Sequence, residues 1–250
     1  MRRFFTDCSN IADTPQFITG SDAKHIKNVL RLRPGDEIVL ADGTGFEHEA
    51  RIEALFPDKI ELSVIRSSLA ETESSVQIIV AQALLKDKKM DGLVRQLTEL
   101  GITRWIPFIA DRSVPKPKKD RINARVERWK KIAREAVKQC RRARIPEVDF
   151  PVSFEHALDI AKTCDLKIAF WENESESFNM TFSSLYNKQY NKIFVMIGPE
   201  GGFTSEETES CRTCGFVTAG LGPRILRAET ATIAACTLIQ FFFGDMGKEP

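Results

Sequence analysis

The sequence predicts an α/β protein: a parallel sheet with helices on both faces, preceded by a small N-terminal β-barrel. Three observations carry this. From residue 76 onward, apolar runs of strand length alternate with helical patterns. Those runs are continuous, as in strands buried on both faces, and do not alternate with polar residues. The first third differs, with short alternating segments punctuated by Gly, Pro and Asp.

Taken in order, Pro34-Gly35-Asp36, Asp42-Gly43-Thr44-Gly45 and Pro57-Asp58-Lys59 separate strands expected at 37–41, 46–54 and 59–65. Between the opening residues and these strands, Ser21 is placed to cap a helix carrying Ile26, Val29 and Leu30 at i, i+3, i+4. These elements make a barrel domain of residues 1–70. Residues 67–75, small and polar, read as a linker, and the second domain spans 71–250. In it, Val76–Leu84 is an apolar run. Met90, Leu93, Val94, Leu97 and Leu100 share a helical face that Gly101 stops. A strand is expected at 105–110, then a long helix through Ile122, Val126, Trp129, Ile132, Ala133, Ala136, Val137 and Cys140. Strands at 166–171, 193–197 and 216–219 alternate with helices at 154–162, 205–213 and 228–243.

Composition narrows the function classes. No apolar stretch reaches the roughly 20 residues that span a bilayer. Residues 1–5 turn polar at Thr6, so a cytoplasmic location without membrane contact is expected. Cys211 and Cys214 form a lone C-x-x-C, and His25, His48 and His156 are scattered, so no metal is expected. Cys8, Cys140, Cys164 and Cys236 read as ordinary thiols. The net charge of +1 hides a division along the chain. Residues 86–144 hold 19 Lys and Arg against 7 Asp and Glu, while 1–70 hold 9 against 11. Within 116–144, thirteen cations (Lys116, Lys118, Lys119, Arg121, Arg125, Arg128, Lys130, Lys131, Arg134, Lys138, Arg141, Arg142 and Arg144) face only Asp120, Glu127 and Glu135. A self-neutralising helix carries more acids, so a basic face for a polyanion beside the pocket is expected.

Two turns carry the chemistry. In Ile197-Gly198-Pro199-Glu200-Gly201-Gly202-Phe203-Thr204-Ser205, a strand ends in a glycine-rich loop, and Thr204 or Ser205 can cap the next helix. Glycines allow close backbone approach to a ligand at the strand ends where α/β sheets bind. The loop is neither GxGxxG nor a P-loop; it lacks the lysine a triphosphate needs, and Glu200 suits hydroxyls or a cation. The second turn, Leu221-Gly222-Pro223-Arg224-Ile225-Leu226-Arg227-Ala228-Glu229-Thr230-Ala231, also lies between a strand and a helix. One pocket shared by both turns explains them better than two separate tight turns, although Arg227 and Glu229 taken singly fit a mere ion pair equally well.

These turns, with Lys86-Asp87-Lys88-Lys89-Met90-Asp91, Gln96-Leu97-Thr98-Glu99-Leu100-Gly101, Asp111-Arg112-Ser113-Val114, Arg128-Trp129 and Ala136-Val137-Lys138-Gln139-Cys140-Arg141-Arg142, resemble the RsmE-type 16S rRNA uridine-N3 methyltransferases. Arg2-Arg3-Phe4-Phe5, His25–Leu32 and Gly35-Asp36 match the same family. The resemblance implies a SPOUT-type sheet with a C-terminal trefoil knot and a PUA- or OB-like barrel. It implies S-adenosyl-L-methionine as cofactor, held by Phe170, Trp171, Glu172, Ile197, Gly198, Pro199, Glu200, Gly201, Gly202, Leu221, Gly222, Ile225 and Leu226. It implies methylation of N3 of one uridine, position 1498 of 16S rRNA in the small ribosomal subunit, by a homodimer. The RNA contacts it implies are Arg2, Arg3, Lys24, His25, Arg31, Arg33, Lys86, Lys88, Arg112, Lys138, Arg141 and Arg142. Lys24 stands where many relatives have a second histidine, and Arg141 where Gly is common.

Methylating N3 requires the base exposed, its imide proton removed and the nitrogen aligned with the methyl donor. Arg142 or Arg227 is expected to stabilise the resulting anion, and Glu200 to accept the proton or hold the cofactor. Two alternatives stand beside this reading: a non-catalytic RNA-binding protein, and a knotted methyltransferase acting on another nucleoside.

Overall fold

The computed structural model describes residues 2–6, 15–86, 88–114, 119–174, 185 and 188–247, with backbone alone at 119 and 120. Lys116, Lys118, Cys8 and the side chain of Lys119, all singled out from sequence, lie outside the described residues. The chain forms two compact units, residues 1–73 with 137–145, and 74–136 with 146–250. A single division near residue 70 therefore becomes a chain that leaves the first unit and later returns to it. No composition shift announces the return, because 137–140 simply continues a helix.

The N-terminal unit holds β1 (Arg2–Phe5), β2 (Gln16–Thr19), α1 (Gly20–Lys24), β3 (Glu37–Ala41), β4 (Phe46–Leu55) and β5 (Lys59–Leu69). The strands lie in the order β1-β3-β4-β5-β2, with β1 parallel to β3 and the other pairs antiparallel. Alternation puts Ile38 and Leu40 of β3, Ala50 and Ile52 of β4, and Ile60 and Leu62 of β5 inside, fully buried. Register shifts at Glu49/Ala50 and Ile52/Ala54 bend β4, as an extra residue in one strand does.

Two local expectations change. Thr19, not Ser21, stands at the N-cap position of α1, without a side-chain hydrogen bond to the helix, and from His25 to Leu30 the helix widens into a π-helical turn that Arg31 ends at φ +53°. The wider turn breaks the i, i+3, i+4 register, so Ile26 is buried while Val29 is 66% exposed. The supposed linker is partly strand, since β5 continues to Leu69 and Ser67 Oγ meets His48 Nδ1 at 2.8 Å. Beyond it, the Glu73 carboxylate accepts from the Arg142 guanidinium (2.8 Å) and from the backbone N–H groups of Ala143 (2.8 Å) and Arg144 (3.0 Å). Arg141 sits at φ +64°, a left-handed conformation that favours glycine.

The C-terminal unit runs β6 (Gln77–Ala83), α2 (Lys89–Glu99), β7 (Arg104–Ile109), α3 (Lys119–Cys140, its last turn counted with the first unit), β8 (Glu147–Val148), β9 (Val152–Ser153), α4 (Phe154–Ala161), β10 (Leu166–Phe170), β11 (Lys192–Ile197), α5 (Ser205–Thr213), β12 (Val217–Ala219) and α6 (Ala228–Phe242). The sheet order is β12-β10-β11-β6-β7-β8, with β9 also on β7, and every pair is parallel. Successive residues of β6 feed opposite layers. Ile78 and Val80 pack with α2, α3 and α6 through Leu93, Leu97, Trp129 and Ile239. Ile79 and Ala81 pack with α4 and α5 through Phe154, Leu158 and Cys211. This double burial is why the strands read as unbroken apolar runs.

On α3, Val126, Trp129, Ala133 and Val137 are buried, while Arg121, Arg128, Lys130, Lys131, Arg134 and Lys138 are exposed. Trp129 meets Trp105 edge to face at 5.1 Å and donates from Nε1 to Asp91 at 3.1 Å. Among the described residues, no helix is long and apolar enough to cross a membrane.

Candidate functional site

The segments following β10, β11 and β12 converge at the carboxyl ends of the strands and enclose a cleft of about 390 Å³. Phe170, Trp171 and Glu172 form one wall; Ile197, Gly198, Pro199, Glu200 and Gly202 the second; Leu221, Gly222, Arg224, Ile225, Leu226 and Arg227 the third. Ala228 and Ala231 of α6 and Lys89 of α2 complete it.

The glycine-rich loop is held from behind. Gly202 lies at φ +68°, a left-handed conformation that favours glycine, and the Glu172 carboxylate occupies the space beside it where a Cβ would stand. Gly201 faces away from the cleft onto Arg112, whose Nη1 donates to the carbonyls of Gly201 (2.9 Å) and Phe203 (3.3 Å). Thr204 caps α5 in a reciprocal capping box. Its Oγ1 accepts from Glu207 N at 3.1 Å, and Glu207 Oε2 accepts from Thr204 N at 3.0 Å. Glu207 Oε1 also accepts from Asp111 N at 2.9 Å, tying the segment that carries Arg112 to the loop.

Charge in the cleft is compensated. Glu200 accepts from the Lys86 backbone N–H (3.1 Å) and from Lys89 Nζ (3.0 Å), and Lys89 also pairs with Glu229 at 3.4 Å. Burial pushes the Glu200 pKa up, but the donors from Lys89 and Lys86 outweigh it and hold the carboxyl below its ordinary 4.5. The Glu200 hydrogen bond in turn raises the Lys89 pKa. Arg227 precedes α6 as its N-cap residue and is exposed; Glu229 pairs with Lys89 and not with Arg227. Trp171 Nε1, in the wall of the cleft, is buried without a hydrogen-bond partner among the described residues.

Within the N-terminal unit a second cleft, about 820 Å³, is lined by Arg2, Arg3, His25, Lys138 and Arg141 with Phe4, Phe5, Leu30 and Val39. Its acids are Asp22 and Glu47. Arg3 is the anchored member: Nη2 pairs with Glu47 at 2.6 Å and Nη1 donates to the Arg141 carbonyl.

The RNA methyltransferase domain family matches residues 72–240, and the RNA methyltransferase PUA domain family matches residues 18–65. Ribosomal RNA small subunit methyltransferase E of Bacillus subtilis is 34% identical over 247 residues, 96% of each chain. The protein of that name from Aquifex aeolicus is 33% identical over 88% of this chain and 92% of its own. Among solved structures, the Neisseria gonorrhoeae ribosomal RNA small subunit methyltransferase E bound to S-adenosyl methionine aligns with a TM-score of 0.79, 30% identity and coverage of 98% and 99%. The chain belongs to the ribosomal RNA small subunit methyltransferase E family. Its fold is accordingly the SPOUT-type knotted α/β sheet with a PUA-like N-terminal domain.

For this methyltransferase E family member, the structure sorts the sequence-predicted residues. Every expected cofactor residue lines the first cleft except Gly201, which is turned onto Arg112. Lys89 was missed, while Arg224, Ala228 and Ala231 belong to the second turn but were not named as cofactor contacts; Lys89 sits in a basic run that reads as an RNA contact, and two small residues on a helix give no signal. The glycine-rich loop does lack a lysine of its own, yet α2 brings Lys89 to it. Among the expected RNA contacts, Arg2, Arg3, His25, Lys138 and Arg141 come together in the second cleft. Lys24, Arg31 and Arg33 are exposed outside its lining, and Lys86 and Lys88 are exposed in the C-terminal unit. Arg112 braces the glycine-rich loop. Arg142, expected near the substrate, is 3% exposed and engaged by Glu73. Among the described residues no three His, Cys, Asp or Glu side chains gather as a metal site would require.

Proposed function

We propose that this protein is an S-adenosylmethionine-dependent methyltransferase acting on N3 of a single uridine, position 1498, of 16S rRNA in the small ribosomal subunit. The observation that carries the reading is the first cleft itself. Apolar walls from Ile197, Leu221 and Leu226 suit an adenine ring, and the glycine-rich loop exposes backbone groups at close range. Glu200 is held ionised toward a ligand that is itself cationic, and Trp171 Nε1 awaits a partner. S-adenosylmethionine supplies a methyl group already activated by its sulfonium charge.

The chain's own task is then to ready the uracil. Arg227, one of two arginines exposed in the wall of the cleft, takes this role in the proposal: its guanidinium stabilises negative charge on the uracil carbonyl oxygens as the N3 proton leaves. Arg142 serves the fold through Glu73. Glu200 orients the cofactor; a carboxylate already accepting from two donors is a poor base. The cations of the second cleft hold RNA phosphates, while the base supplies specificity. Ile225 (88% exposed) and Phe241 (56% exposed) fit the proposed homodimer, which burying them completes.

The deciding experiment is labelled-methyl transfer to small subunits from a strain lacking the enzyme, followed by nucleoside analysis. 3-Methyluridine at one position is expected. Its absence from every position, or a different methylated nucleoside, overturns the assignment.

A further inference from the structure

Gln82 interrupts an apolar strand at the centre of the sheet and is completely buried. Its neighbours Ile79, Val80, Ala81, Ala83 and Leu84 are all apolar, and a primary amide in that company is costly unless every polar atom is paired. Each is. Nε2 donates to the carbonyls of Ala83 (3.1 Å) and Gly198 (3.3 Å), and Oε1 accepts from Thr232 Oγ1 at 2.5 Å. The two carbonyls fix which end of the amide faces which way, because a reversed amide sets oxygen against oxygen. Thr232 lies one turn into α6, within 2.7 Å of the Ala228 carbonyl.

The partners make this more than a satisfied core polar group. Gly198 begins the glycine-rich loop, and Ala228 begins α6 directly after the Arg227 turn; both line the first cleft. Gly198 is already crowded, with Phe203 N 3.2 Å from where a Cβ would stand, so its carbonyl has little latitude. Chain separation across the link is large, with 116 residues between Gln82 and Gly198 and 150 between Gln82 and Thr232.

We infer that Gln82 is a positioning residue: through its one amide it sets the glycine-rich loop and the start of α6 at the spacing the cofactor requires. It touches neither cofactor nor substrate. The inference rests on reading this cleft as the S-adenosylmethionine site.

The test compares Gln82→Met, which keeps volume and removes the amide, with Thr232→Val, which removes one arm of the link. Isothermal titration with S-adenosylmethionine is paired with turnover at saturating cofactor, and with melting temperature. Losing the bonds to both loops is expected to weaken cofactor binding about tenfold in Gln82→Met, and losing one arm about threefold in Thr232→Val. Turnover at saturation stays within about twofold, and the double variant is no worse than Gln82→Met alone, since both changes cut one link. A purely structural amide lowers the melting temperature and leaves the dissociation constant alone. Unchanged cofactor affinity in folded Gln82→Met, or in Thr232→Val should the first not fold, overturns the inference. A wild-type protein that does not bind S-adenosylmethionine overturns the functional reading and this inference with it.

Discussion

The clefts of the C-terminal and N-terminal units both gather charged side chains, but they treat charge differently. In the first, Lys89 lies between Glu200 and Glu229, and a backbone N–H adds to Glu200. In the second, Arg2, His25, Lys138 and Arg141 line the wall with Arg3, against Asp22 and Glu47. Compensated charge fixes the orientation of a small ligand and changes little with ionic strength. Accumulated charge of one sign recruits a polyanion and is screened by salt. The difference teaches that the +12 surplus of residues 86–144 is divided among several tasks: Lys89 and Arg112 are spent on the glycine-rich loop, Arg142 on Glu73, and Lys138 and Arg141 on the second cleft.

The largest expected effect breaks the first cleft. Arg227→Ala should lower turnover by about 10² to 10³, the usual loss for one oriented charge-stabilising group. Its affinity for S-adenosylmethionine should change far less, so single-turnover rates and titration together check it. Near wild-type turnover removes Arg227 from the chemistry. Next is Glu73→Gln, which strands the buried Arg142 guanidinium and should cost about 3 kcal/mol of stability by denaturant titration. Turnover measured well below the melting temperature should be unaffected. A stable Glu73→Gln enzyme with lost turnover returns Arg142 to catalysis. The N-terminal cleft is sharpened by Arg141→Gly. Relief of the left-handed backbone should stabilise the fold by about 1 kcal/mol, while RNA binding weakens and its salt dependence flattens by about one counterion. Unaltered RNA affinity at low salt removes Arg141 from the interface.

Local patterns were readable and long-range meetings were not. The strands of the large sheet announce themselves because burial on both faces leaves no polar phase, and α2 and α3 because one stripe must be apolar. The cofactor walls were legible since glycine-rich turns after strands are local features. Where reading failed, the cause lies in residues far apart in sequence. Gln82 passes for noise in an apolar run until Gly198 and Thr232 arrive beside it. Lys89 belongs to a lysine cluster until Glu200 claims it. Arg112 and Arg142 look like surface cations, but backbone carbonyls and a carboxylate hold them. Val29 failed for a local reason, a π-helical turn that periodicity at 3.6 residues does not anticipate. The knot leaves no trace in periodicity, because threading is a property of the path and not of any segment.

The smallest expected effect probes how charge is compensated in the first cleft. Burial raises the Glu200 pKa while the Lys89 ammonium and the Lys86 N–H lower it further, so the carboxylate survives below 4.5. Its depressed pKa gives stability that is present above the unfolded value and lost as pH falls through the folded one. The raised Lys89 pKa gives stability present below 10.5 and lost only as pH rises beyond that. Between these limits the pair contributes a flat term, below about 1 kcal/mol because both side chains are about a quarter to a third exposed. Lys89→Met removes the ammonium and keeps the burial, so Glu200 should take up its proton at higher pH. The acid limb of S-adenosylmethionine binding should move upward in pH with it, while wild-type and variant stabilities stay parallel through neutrality. Titrations across the acid range in both proteins check this. Superimposed acid limbs mean that the backbone N–H groups of Lys86 and of Glu200 itself hold Glu200 ionised, and the lysine then serves only to crowd the cleft.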